Sequence, residues 1–164
     1  MTDTFFGVPI RGDISQGGSR VEQKPASELA PLVQAMLDDP TIVEFGWRQY
    51  TPYFNDGAVC EFSAYGLWVR TETDTDPEDE DELGLDYGVH PSLGGFPYKT
   101  NPETGRYERQ SYEGSDKARY DRAQTLTAAI EGGAFENVLL DKFGDHASIT
   151  VRRDGVEVEF YEHD

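Results

Sequence analysis

The side chains best suited to chemistry in this chain are few and scattered. There is one cysteine, Cys60, and there are three histidines, His90, His146 and His163. Cys60 with His90 would make a thiolate nucleophile beside a base, and His90 lies in GVHPS, a loop setting that suits a catalytic or liganding imidazole. Against this, Cys60 reads more simply as a small apolar residue on an inward strand face, and nothing near it in sequence promises an activated thiolate. His146 and the closing Glu162-His163-Asp164 carry metal-donor atoms, but a chain end makes a poor rigid cage. No metal and no cofactor is therefore expected. Carboxylates number 32, too many for a catalytic pair to stand out. The chain has no GxxxxGK[ST], GxGxxG after a strand, HExxH, CxxC or GxSxG, so several common catalytic solutions are excluded.

A denser cluster lies at WRQYTPYFNDG, residues 47 to 57. A hairpin connection needs a glycine and one Asx residue, which Asn55-Asp56-Gly57 supplies. It does not need Tyr50, Tyr53 and Phe54 besides Trp47. Tyr and Arg most often dominate binding energy, so Arg48, Gln49, Tyr50, Tyr53 and Asn55 are the candidate binding residues. The structural alternative is an aromatic hairpin with Trp47 inward and Tyr50 and Tyr53 packing across the turn.

These residues must be positioned by a single domain, since 164 residues fit one core without staples. Asp and Glu outnumber Lys and Arg by 32 to 14, a net charge of -18. That field repels nucleic acid and anionic membrane and attracts basic proteins. Direct nucleic-acid binding is not expected, and no apolar run approaches the roughly 20 residues of a membrane span. A single cysteine rules out an internal disulfide and a cysteine-only zinc site. The opening MTDTFFGVPIRGD is not a signal sequence, so the expected location is the cytoplasm. Its Arg-Gly-Asp tripeptide is a chance match of the kind short motifs produce.

The pattern along the chain predicts an α+β fold. Residues 1–26 read as an irregular arm, and 27–164 as the domain. Leu29, Leu32, Val33, Met36 and Leu37 recur at helical spacing over 27–38, with Ser27 as expected cap. A hairpin is expected over about 41–70, with Val43, Phe45, Trp47 and Gln49 on one face of its first strand and Cys60, Phe62, Ala64 and Gly66 sharing a face of the second. The acidic loop 71–86 fails as a calcium loop: counted from Asp74, Asp79 falls where glycine is needed and Leu85 where glutamate is needed. Residues 87–114 are rich in Gly, Pro and Tyr and lack periodicity, with short strands expected near 87–90 and flanking NPETG. Helices are expected over 115–131, capped by Ser115, and 134–143. A second hairpin over 147–161 turns at Asp154-Gly155. The two hairpins should form an antiparallel sheet packed against the helices.

Trp47, Gln49 to Gly57, Cys60 and Phe62 carry a W-x-Q-Y-T-P-Y-F-N-D-G pattern followed by C-x-F. The pattern resembles a family of small tailed-bacteriophage proteins of no settled activity. The upstream LVQAMLDDPTIVEF and the closing FGDHASITVRRDGVEVEFYEHD are similar to that family too; the central acidic segment is not. The resemblance implies a phage origin, hence the cytoplasm of the host cell, and carries over no functional residues. The leading expectation is an acidic, non-enzymatic accessory protein that binds a host factor. It would counter a defence or redirect the host, by imitating nucleic acid before a basic partner or by sequestering a small nucleotide ligand. The rival expectations are an enzyme with a site around His90 and a virion structural component.

Overall fold

The computed structural model describes residues 4–12, 21–54, 56–75, 80–85 and 88–163. The chain is α+β, with a four-stranded antiparallel sheet covered by helices on one face. In chain order the elements begin with a two-stranded hairpin, β1 (Thr4–Phe5) and β2 (Val8–Pro9), inside the arm expected to be irregular. Helix α1 (Ala26–Leu37) leads into β3 (Ile42–Tyr50) and β4 (Ser63–Thr71). A short hairpin, β5 (Tyr98–Thr100) and β6 (Tyr107–Arg109), flanks the NPETG turn. Of the strand expected near 87–90, Tyr87 lies outside the described residues, and among the described ones His90 makes a single bridge to Gly94. Then come α2 (Lys117–Glu131), α3 (Glu136–Phe143), β7 (Ala147–Arg152) and β8 (Gly155–Phe160).

The main sheet runs β4-β3-β7-β8. Pairing Phe45, Trp47 and Gln49 with Val151, Ile149 and Ala147 puts these six on one face, and all are buried. All but Gln49 join Leu67 and Val69 of β4 and Met36, Leu126, Ile130 and Leu139 of the helices in one apolar cluster. Each large side chain so buried stabilises the fold by roughly 1.5–3 kcal/mol. Two bulges in the β3–β4 ladder alter the expected alternation. Ile42 is buried although it was expected opposite Phe45. Gly66, at φ +70°, is exposed, and beyond it Leu67 and Val69 take the core side. Cys60 precedes β4 and is half-buried, so it is not on the strand face predicted for it.

The opposite sheet face holds Trp68, buried outside the main cluster together with Leu83. The Trp68 ring lies over Gly46. A Cβ there would come 2.1 Å from the Ile149 carbonyl oxygen and 2.9 Å from the ring, so only glycine fits.

Caps differ from expectation by one or two residues. Pro25, not Ser27, precedes α1, with no side-chain cap. Asp116, not Ser115, caps α2 by accepting from the Arg119 amide. Arg153, in the β7–β8 turn, donates to the carbonyls of Leu37, Asp39 and Ile42, satisfying the end of α1. Asp39 accepts from Thr41 and Arg122 in the same place. Burial pushes the Asp39 carboxyl up, but these hydrogen bonds outweigh it and hold it below the ordinary value.

Candidate functional site

Alternation along β3 sends Arg48 and Tyr50 to the face away from the helices. Tyr50 meets Tyr65 of β4 edge-to-face, with ring centroids 4.6 Å apart. The β7–β8 ladder continues one pair past β8, because the Tyr161 amide donates to the His146 carbonyl at 2.7 Å. That extra pair brings Tyr161 beside Tyr50, at 5.3 Å between centroids, and under the Arg48 guanidinium at 5.2 Å. Two residues on, the His163 ring lies 3.9 Å from that of Tyr50 and stacks on Tyr53 at 4.4 Å and 10°.

His146 completes the group. Its backbone takes a left-handed φ of +53°, unusual for a non-glycine residue. Its amide is held by the Asp145 carboxylate, which also accepts from the amide and hydroxyl of Thr51. Asp145 thereby ties the segment after β3 to the turn before β7. Burial pushes its carboxyl up, but the bonds from Thr51 and His146 outweigh that and leave it lowered. The His146 ring stacks on Tyr53, and its Nδ1 lies 2.7 Å from His163 Nε2. Such a bond needs a hydrogen on one nitrogen and a lone pair on the other. Burial, then the neighbouring Tyr161, push the Tyr50 hydroxyl up, against a smaller pull from Arg48. An open hollow of about 550 Å³ is lined by Tyr50, Tyr161, Glu162 and His163. Tyr53 and Phe54 beside it are exposed.

The structure brings Arg48, Tyr50 and Tyr53 together, as three of the five candidate binding residues. Gln49 does not join them. It is fully buried on the helix side, accepts from Trp47 Nε1 at 2.9 Å, and donates to the carbonyls of Leu139 and Gly144. Asn55 lies outside the described residues. Tyr65, His146, Tyr161 and His163 were not named as part of this group. Tyr65 arrives through the β3–β4 hairpin, opposite Arg48; the contribution of His146, Tyr161 and His163 depends on pairing between β3 and the distant β7–β8 segment, which no local spacing reveals.

His90, the candidate for hidden chemistry, is buried and committed to the backbone. Its Nδ1 accepts from the amides of Ser92 and Leu93, at 3.1 and 3.0 Å. The proton therefore sits on Nε2, which donates to the Val69 carbonyl at 2.7 Å. Burial pushes this imidazole down, toward the neutral form that these bonds need. Among the described residues no group of three or more His, Cys, Asp or Glu is arranged to hold a metal ion. No helix among them is long and apolar enough to cross a membrane.

Fold and site together define a single-domain α+β protein whose sheet ends in a solvent-open cluster of tyrosines and histidines. Compared with protein-family models, curated proteins and solved structures, the chain has no match.

Proposed function

We propose that this is a phage-encoded accessory protein that acts by binding a basic host protein, with the aromatic end of the sheet as its contact surface. The observation that carries the reading is the convergence of Arg48, Tyr50, Tyr53, Tyr161, His146 and His163 on one exposed end. Rigid aromatic rings beside an arginine are what protein interfaces use as anchors. The net charge of -18 favours a basic, nucleic-acid-handling partner, drawn as nucleic acid would draw it. Anti-defence or host takeover is the role such a contact would serve, in the host cytoplasm.

A small nucleotide fits the same end less well. Tyr53 and Tyr161 each already stack on His163, and Glu162 in the hollow opposes a phosphate. Catalysis at His90 is disfavoured because both ring nitrogens are bonded to the main chain.

The test is affinity capture from nuclease-treated host lysate, with washes at low and then high salt. A basic protein retained by the parent chain, released by salt and lost with Arg48→Ala and Tyr53→Ala supports the reading. If both variants simply unfold, the cluster is structural and the site assignment goes. Recovery of the chain from purified virions would favour the structural-component alternative instead.

A further inference from the structure

The main sheet ends differently at its two edges. On β4 the outward backbone groups are taken. The Gly66 amide donates to the Glu131 carboxylate, and the Leu67 carbonyl accepts from the Leu85 amide. The Val69 carbonyl accepts from His90, and the Thr71 amide donates to Asp74. On β8 the Tyr161 bond to His146 fixes which groups point inward. By antiparallel alternation Gly155, Glu157 and Glu159 bond to β7, and Val156, Val158 and Phe160 turn their amides and carbonyls outward. None of those three bonds to another described residue through these groups.

The side chains on this edge are also two-faced. Val156, Val158 and Phe160 stand on the helix side, opposite buried Val151, Ile149 and Ala147, yet remain 49%, 46% and 71% exposed. Glu157 and Glu159 stand on the other side. Glu157 is paired with Arg152 at 2.9 Å, but both are half-exposed, and such pairs are weak enough to be shared or exchanged. Phe160 runs directly into the aromatic end, 6.1 Å from the His146 ring.

A second copy is a poor occupant. Antiparallel self-pairing centred on Val158 sets Glu157 against Glu159 of the other copy, and pairing centred on Glu157 or Glu159 sets that glutamate against itself; registers centred further out overlap only an end of the strand. Like charges directly opposite are destabilising. A strand carrying cations at those positions turns the same geometry into attraction.

We propose that β8 is a docking edge for an extended segment of a basic partner protein, its side chains alternating between apolar residues and Lys or Arg. The segment would extend the sheet, with main-chain bonds to Val156, Val158 and Phe160, apolar side chains on the open valine–phenylalanine row and cations over Glu157 and Glu159. This inference rests on the reading of the chain as a binder of a basic host protein, and specifies the form of the contact.

The probe is a ten-residue peptide of alternating Val and Lys, with an alternating Val and Glu peptide as control. On binding the Lys peptide, amide hydrogen exchange at Val156, Val158 and Phe160 should slow at least tenfold, while Glu157 and Glu159 are already protected. Val158→Pro should abolish binding without removing a β7 ladder bond, because the Val158 amide points outward. Glu159→Lys, which leaves the backbone intact, should weaken the Lys peptide and strengthen the Glu peptide. Equal binding of the two peptides, or unchanged exchange at the three amides, overturns the proposal. A concentration-dependent dimer that protects the same amides also overturns it, by assigning the edge to a second copy. Host-protein capture by Tyr53→Ala separates the two readings. Lost capture with no peptide binding defeats the edge alone, and retained capture defeats the aromatic-end site whatever the peptide does.

Discussion

His90 and the His146–His163 pair show what burial does to the same side chain. His90 is enclosed, and each ring nitrogen meets a main-chain group of fixed polarity. One tautomer and one charge state satisfy all of them. His146 and His163 are half-buried, bonded to each other and stacked on tyrosines at an open end. The first arrangement spends the imidazole on holding the 88–95 segment against β4. The second leaves ring edges and faces where a partner can reach them. A loop histidine is therefore not a functional signal until its nitrogens are accounted for.

The largest effect that would break this comparison is at the buried knot. His90→Ala should destabilise the fold by about 3 kcal/mol or more, because it strands the Val69 carbonyl and two amides and opens a cavity. Urea unfolding measures this. A loss below about 1 kcal/mol would mean that the knot is dispensable and its histidine is kept for something else.

Gln49→Leu comes next. It keeps the side-chain volume but removes the bonds that the Leu139 and Gly144 carbonyls and the Trp47 indole make to Gln49. The expected loss is about 2–3 kcal/mol, with host-protein capture unchanged below the midpoint of unfolding. Capture lost from a folded Gln49→Leu protein would return Gln49 to the binding surface.

The contrast between Gln49 and Tyr50 also shows where sequence reasoning runs out. Both lie in one aromatic stretch, and Trp47 inward with Gln49 beside it follows from period-two alternation. That Gln49 also donates to the Leu139 and Gly144 carbonyls does not, because these are 90 and 95 residues away. The helices and both hairpins were legible because each is a local pattern with a local stop signal. The bulge at Gly66 was not, since a glycine marks flexibility without saying which neighbour will switch faces. At the site, Arg48, Tyr50 and Tyr53 were visible as an excess of aromatics over what a turn needs. Tyr161 and His163 read only as a chain end, and a ladder bond to His146 makes them part of the surface.

A smaller effect separates the histidines by pH. Burial lowers the His90 pKa in the folded state, so the unfolded chain takes up the proton first. The neutral His90 therefore contributes its full stability above about pH 6.5, and that stability falls as pH drops below it toward the lowered folded value. The slope from this one group cannot exceed about 1.4 kcal/mol per pH unit. Asp39 and Asp145 are also lowered, so their contribution is lost only at more acidic pH, through the carboxylate range. Unfolding free energies at pH 7.5, 6 and 5 should fall in the parent chain and stay nearly level in His90→Gln. A parallel decline in the variant would place the proton uptake elsewhere.

The smallest change in stability should come from the exposed end, and there it should matter most for binding. His163→Ala removes the stack on Tyr53, the contact with Tyr50 and the part-buried bond to His146, at an end that opens onto solvent. The expected loss is under about 1 kcal/mol, the range of surface contacts. Without that ring, Tyr53 keeps the His146 stack and Tyr161 keeps Tyr50 and Arg48, but the ring that links Tyr53 to Tyr161 is gone, so the preorganisation that makes aromatic anchors effective is reduced. Capture of the basic host protein should weaken tenfold or more, equivalent to about 1.4 kcal/mol, in a protein whose unfolding midpoint has hardly moved. His90→Ala should show the reverse: a large fall in midpoint, with capture retained by whatever fraction remains folded. If His163→Ala instead unfolds the sheet end and leaves capture intact, the rings there are a clamp on the chain end, and the two histidine regions differ only in depth.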